Sequence, residues 1–177
     1  MWFGETGLPW VPPSPNMPTL ATATCYPGTC LIEGTSLSTG RGTTAPFELI
    51  GAPWAGPGLA RRLRSLGLPG VAFREAYAVP QFGRYAGEPI CGVHLHVTDR
   101  RRFDPLRIAL EIVAAARDLW PGHLTFAAGH FGRLAGSAGL RTALAAGAAP
   151  GDISAGWAGG LRQFGPARAA HLLYGEV

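Results

Sequence analysis

The chain has 177 residues and a formal net charge of +4, with 47% hydrophobic and 15% charged residues. That is the balance of a soluble globular protein, and no apolar run approaches the roughly 20 residues of a membrane-crossing helix, so membrane insertion is not expected. All 15 basic residues are Arg; beside the abundant Ala and Gly this reads as genome bias, and without a zinc module, basic helix or interleaved aromatics no nucleic-acid partner is expected.

In chain order, MWFGETGLPW lacks the basic start, apolar centre and cleavage site of a secretory leader. Pro12, Pro13, Pro15 and Pro18 fix φ and remove donors, so Asn16 sits in a rigid irregular segment. Thr19 can cap a helix from Leu20 to about Tyr26, which Pro27-Gly28 interrupts or resets before Thr29 to Glu33. A Gly-rich loop follows to Thr44, PFELIGAPW reads as a short extended piece, and a domain boundary is placed near Gly51. Leu59, Leu63 and Leu66 against Arg61, Arg62 and Arg64 mark an amphipathic helix ended by Gly67 and Pro69, and VAFREAYAV reads as a strand. After a loop holding Phe82, Tyr85 and Gly87, Cys91 to Thr98 alternates Val93, Leu95 and Val97 with His94, His96 and Thr98, a strand's period of two. Arg100, Arg101 and Arg102 form a solvated turn. Pro105 opens a helix through Leu119, and further helical segments fall at Leu140 to Ala146 and Ile153 to Arg168. The fold class is α+β, a small sheet packed with helices.

Three cysteines, Cys25, Cys30 and Cys91, are too few and odd in number for a disulfide framework, and each is read as a small buried hydrophobe. Among acidic residues Glu33 is the best placed for chemistry, because a rigid loop and Arg41 could orient its carboxylate; the same pair could equally serve only to pin the loop. His94 and His96 share a strand face, but a third ligand at a recognised spacing is missing, so no metal and no cofactor are expected, and the pair is read as facing substrate hydroxyls. Trp10, Trp54 and Tyr85 lie in irregular segments where a pyranose could stack, whereas Trp120 and Trp157 follow helical patterns and belong to the core. No nucleophile elbow, P-loop or dinucleotide fingerprint is present.

The motifs SPNMPT, YPGT, EGT, GRGTT, PF and GAPW, continued by LGLPGVAF, RYAGEPICGVHLHVTDR, FDPLRIAL, FGRLAG and the closing LLY, resemble the signature of the DUF1343 family, peptidoglycan-directed exo-β-N-acetylmuramidases of the NamZ type. The resemblance implies a Rossmann-like catalytic domain followed by a smaller C-terminal domain, with the sugar cleft near their junction, and this chain resembles the later half. Residues 1–50 would then be the tail of the Rossmann-like domain and 51–177 the C-terminal α+β domain. The implied function is peptidoglycan-directed glycoside hydrolysis, the chain helping to form the substrate cleft and being inactive without the upstream domain. The alternative is a non-catalytic carbohydrate-binding or subunit-interaction module.

On this reading Glu33 is the catalytic carboxylate, while Asn16, Arg41, Thr43, Tyr85, His94 and His96 bind substrate, Arg41 and Thr43 holding the sugar or its lactyl carboxylate. The partners are peptidoglycan-derived sugars carrying N-acetylmuramic acid, together with a separate Rossmann-like domain or a second copy of the chain. The full-length family would be exported. Where relatives read EGTN-x-SEGRGT, this chain has Ser36 for Asn and Thr39 for Glu, and Gly132 stands where relatives often have Asp at an expected helix cap.

Overall fold

A computed structural model describes residues 2–173 of the chain; Tyr174 of the LLY motif lies outside the described residues. Three strands, β1 (Leu49–Ala52), β2 (Val71–Ala78) and β3 (Ile90–Val97), form an antiparallel sheet in the order β1-β3-β2. Around it, among the described residues, are helices α1 (Leu20–Thr29), α2 (Gly58–Ser65), α3 (Pro105–Leu119), α4 (Ala128–Ala135), α5 (Gly139–Ala145), α6 (Pro150–Gly156) and α7 (Ala158–Ala169). The class is α+β, as expected.

The alternation in β3 sorts its side chains as the sequence implies: Val93 and Leu95 are buried with Ile50, Phe73, Leu63, Ile108 and Ile112 against α1, α2 and α3. Each such aliphatic side chain removed from water contributes roughly 1.5–3 kcal/mol before entropy is counted. At the centre of this layer, α3 is buried from Ile108 to Ala116. Asp104 caps it by accepting from the Arg107 amide at 3.0 Å, and Arg107 in turn holds the buried Glu111 through an ion pair of 2.7 Å. On the other side of the sheet a smaller apolar group, Leu49, Ala76 and Ile90 with Ala45, Ala78 and Tyr85, leaves room for polar side chains beside it. At the outer edge, the Phe73 carbonyl of β2 accepts from Arg64 Nη1 at 3.2 Å.

Several details depart from the linear reading. Rather than stopping at Pro27-Gly28, α1 runs on to Thr29 and passes into a 3₁₀ segment, Cys30–Gly34. Pro27 removes only the bond to Ala23, near the helix end, and Gly28 is what the contact with α3 requires: a Cβ there would lie 1.8 Å from the Pro105 carbonyl oxygen. Gly132 lies inside α4, a helix not anticipated, instead of at a cap. The segment expected at Ile153 to Arg168 is two helices that meet at Trp157. Only Cys25 is buried; Cys30 and Cys91 are half-exposed, and all three are free thiols. The boundary placed near Gly51 falls within β1, and Leu31, Ile32 and Leu37 share the core of Ile50 and Ile108.

Candidate functional site

Residues 33–47 form a loop whose shape is fixed several times over. Ser38 exchanges backbone hydrogen bonds with Gly51 at 2.7 and 3.1 Å, and its hydroxyl accepts from the Gly40 amide. Thr43 closes the next turn, its hydroxyl donating to the Gly40 carbonyl at 2.6 Å and accepting from the Ala45 amide at 3.2 Å. Gly40 and Gly42 adopt φ of 72° and 81°, left-handed conformations that glycine takes without a side-chain penalty. Phe47 adopts φ of 63° without that freedom, buried under Tyr26, whose ring meets it edge-on at 4.8 Å. Ser36 ties the loop to residues 123–125: its hydroxyl donates to the His123 carbonyl at 2.9 Å and accepts from the Thr125 amide at 3.0 Å.

Three clefts meet around this loop. In the first, of about 270 Å³, Glu33 and Arg41 face Thr39, Arg84 and His130. Glu33 Oε1 takes Arg41 Nε in an ion pair, and Oε2 has no hydrogen-bond partner among the described residues. The Arg41 guanidinium also lies 4.8 Å over the Phe47 ring. The second cleft, of about 420 Å³, runs from Thr43 and Thr44 across the polar face of the sheet to Arg74 and His94. The third, of about 500 Å³, places Asn16 opposite Thr43, Thr44 and Phe82. A separate and mostly apolar cleft of about 320 Å³ lies between Trp2, Trp10 and Phe103; its one charge, Arg100, is paired with Glu5 at 2.7 Å.

On the sheet, His94 and His96 stack with ring centroids 4.2 Å apart. Arg74, directly across from His94 in the register, offers Nη2 to His94 Nδ1 at 3.2 Å and Nε to His96 Nε2 at 3.5 Å. A guanidinium has no acceptor, so both imidazole nitrogens facing it accept, and the His94 proton resides on Nε2, which points at Glu48 Oε2 3.8 Å away. Glu48 is held in turn by the Thr22 hydroxyl at 2.7 Å. Burial, followed by the neighbouring charges of His96 and Arg74, holds His94 below the usual histidine range, against the opposing pull of Glu48.

The structure therefore gathers Asn16, Thr43, His94 and His96 on one side of the loop and Glu33 with Arg41 on the other. Tyr85 is placed differently: its hydroxyl donates to the Ser36 carbonyl at 2.7 Å and accepts from Trp54 Nε1 at 3.2 Å, within the frame that supports the loop. Arg74, Glu48, Arg84 and His130 were not singled out from sequence. For Arg74 a signal existed, since pairing VAFREAYA antiparallel to CGVHLHVT with Phe73 and Leu95 inward puts Arg74 on the histidine face. Glu48, Arg84 and His130 carried none, because distant segments bring them in. Among the described residues no three His, Cys, Asp or Glu side chains gather in a metal-ligating arrangement.

Residues 24–174 match the family model described as exo-β-N-acetylmuramidase NamZ, C-terminal. The chain is 44% identical over 176 residues to the peptidoglycan β-N-acetylmuramidase NamZ of Bacillus subtilis (strain 168), covering 98% of this chain and 42% of that protein. Among solved structures, a DUF1343 family protein from Bacteroides fragilis superposes with a TM-score of 0.90 at 27% identity, over 99% of this chain and 48% of that one. A second DUF1343 protein from the same organism gives a TM-score of 0.66 at 25% identity, over 94% and 44%. The chain spans less than half the length of these relatives.

Proposed function

Because the chain belongs to the family of NamZ exo-β-N-acetylmuramidase C-terminal portions, we propose that its Gly-rich loop and polar sheet face form one wall of a cleft that hydrolyses peptidoglycan-derived glycosides ending in N-acetylmuramic acid. The observation that carries this reading is the convergence of three clefts on one rigid loop bearing the Glu33–Arg41 pair. Glycoside hydrolysis commonly needs two carboxyl groups flanking the scissile bond. Glu33, oriented by Arg41 and with Oε2 open, supplies one. The second comes from the Rossmann-like part of the relatives that this chain does not cover. Asn16, Thr43, His94 and His96 line the path of the sugar, Arg41 meets it from the floor of the first cleft, and Tyr85 supports the loop from behind. The protein acts on the wall as an exported enzyme.

A second reading, a non-catalytic sugar-binding or subunit-interaction module, is favoured by α7. None of its residues is buried, and Leu161 and Phe164 stand exposed on it. That face suits the remaining half of the enzyme or a second copy. The two readings separate in one assay, release of N-acetylmuramic acid from a chromogenic muramide. The chain alone should be silent, and the chain joined to the Rossmann-like half of the Bacillus subtilis relative should turn over, with Glu33→Gln abolishing the reaction. Turnover by the chain alone would refute the division of labour, and full activity in Glu33→Gln would remove Glu33 from the chemistry.

A further inference from the structure

We infer that Arg74, held between His94 and His96, is the carboxylate-recognising group of this site and that it takes the lactyl carboxylate of N-acetylmuramic acid. The inference rests on the glycosidase reading for the identity of the sugar, and on geometry alone for the carboxylate.

Arg41, Arg100, Arg107 and Arg117 each have a carboxylate partner within 4 Å. Arg74 has none among the described residues; it is aimed instead by two neutral acceptors, which fix its direction and leave its charge uncancelled. Its Nη1 has no protein partner among the described residues. The cleft beside it adds the Thr43 and Thr44 side chains and, at about 420 Å³, has room for a sugar substituent. The Thr43 hydroxyl spends its proton on the Gly40 carbonyl and shapes the wall, so the donors available are those of a planar guanidinium and the Thr44 hydroxyl, a constellation that grips a carboxylate.

Two carboxylates lie near it and neither pairs with Arg74: Glu48 faces His94 Nε2 and is held by the Thr22 hydroxyl, and Glu75, which borders the same cleft, takes the Tyr77 hydroxyl.

The test titrates the isotopically labelled 177-residue chain, followed by NMR, with (R)-lactate, N-acetylmuramic acid, N-acetylglucosamine and muramyl dipeptide. In the dipeptide the lactyl group is an amide and the free carboxylate lies on the peptide. N-acetylmuramic acid should bind more tightly than N-acetylglucosamine and muramyl dipeptide, and its affinity should fall about tenfold or more in Arg74→Gln, the loss of one charge-assisted contact, with Arg74→Lys intermediate. N-acetylglucosamine should be indifferent to either change. Wild-type affinity in Arg74→Gln overturns the inference, as does equal binding of the two monosaccharides or failure of every carboxylate to perturb the wild-type site. Dependence of muramyl dipeptide on Arg74 overturns the lactyl assignment in favour of a stem carboxylate. If the assembled enzyme releases no sugar while (R)-lactate still shifts the His94 and His96 signals in wild type but not in Arg74→Gln, the glycosidase reading falls and the carboxylate site stands.

Discussion

The amide of Phe47 donates to the carbonyl of Thr39 at 2.6 Å, closing the loop that carries Arg41 on the edge of a left-handed residue. The ring thrown inward by that conformation is the floor on which the Arg41 guanidinium rests. Backbone geometry at residue 47 and the orientation of the Glu33–Arg41 pair are therefore one problem. Phe47→Ala should destabilise the chain by about 3–5 kcal/mol, the range for a buried Phe. Phe47→Gly should be less damaging than Ala by about 1 kcal/mol, because glycine accepts the positive φ. Urea unfolding of the two variants checks the order, and Ala more stable than Gly would argue against the left-handed backbone.

Gly28 sets the distance between α1 and α3. A methyl group at this position has no space beside the Pro105 carbonyl, so Gly28→Ala should cost about 1–3 kcal/mol by overpacking, despite the better helix propensity of Ala. Stability equal to or above wild type in chemical denaturation would contradict the contact.

Arg41 and Arg74 should separate kinetically in the assembled enzyme. Arg41→Ala, which frees Glu33, should lower kcat about 10²-fold or more, as loss of a positioned charged group does in other sites. Arg74→Gln should act mainly on KM for substrates with a free lactyl carboxylate. An unchanged kcat in Arg41→Ala would leave the ion pair a fastening of the loop alone.

The lowered pKa of His94 links stability to pH. In the unfolded chain the imidazole titrates near 6.5, so between the folded and unfolded values the unfolded state binds more protons. Stability is therefore greatest above about 6.5 and falls as pH drops from there through the folded value, levelling out below it. Melting temperatures from pH 8 to 5 should show this decline, and His94→Gln should reduce it. An identical profile in the variant would place the responsible group elsewhere.

Cys25 is wholly buried, and burial followed by the charge of Glu48 pushes its thiol up to about 12. Alkylation at pH 8 followed by mass spectrometry should label Cys30 and Cys91 long before Cys25, which should react only on unfolding. Early labelling of Cys25 would mean that α1 opens readily.

Much of this was legible in the chain. Elements whose signal is local emerged clearly: the alternation of β3, the apolar spacing of α2, and the Pro105 start with an uninterrupted run in α3. The α4 helix escaped because Gly129 and Gly132 weaken its pattern; it is held by tertiary packing, with Phe131 so close to Gly34 that a Cβ there would come within 2.6 Å of its Cα. The site divides in the same way. His94 and His96 follow from period two, and the Glu33–Arg41 pair was one of two readings of a short loop. Arg74 becomes visible only once β2 is laid beside β3, and Glu48 only through its contact with Thr22, 26 residues away.

The guanidinium of Arg64 across the Phe73 carbonyl bears on how the chain behaves in company. Leu95 directs its amide toward Glu48, on the β1 side, so Phe73, its register partner, turns its own polar groups to the free rim of β2. An eight-residue strand with a bare rim invites another strand to add on, the first step of sheet-to-sheet aggregation. Here an incoming backbone must first displace a cation from the middle of that rim, which guards the chain against stacking into fibrils.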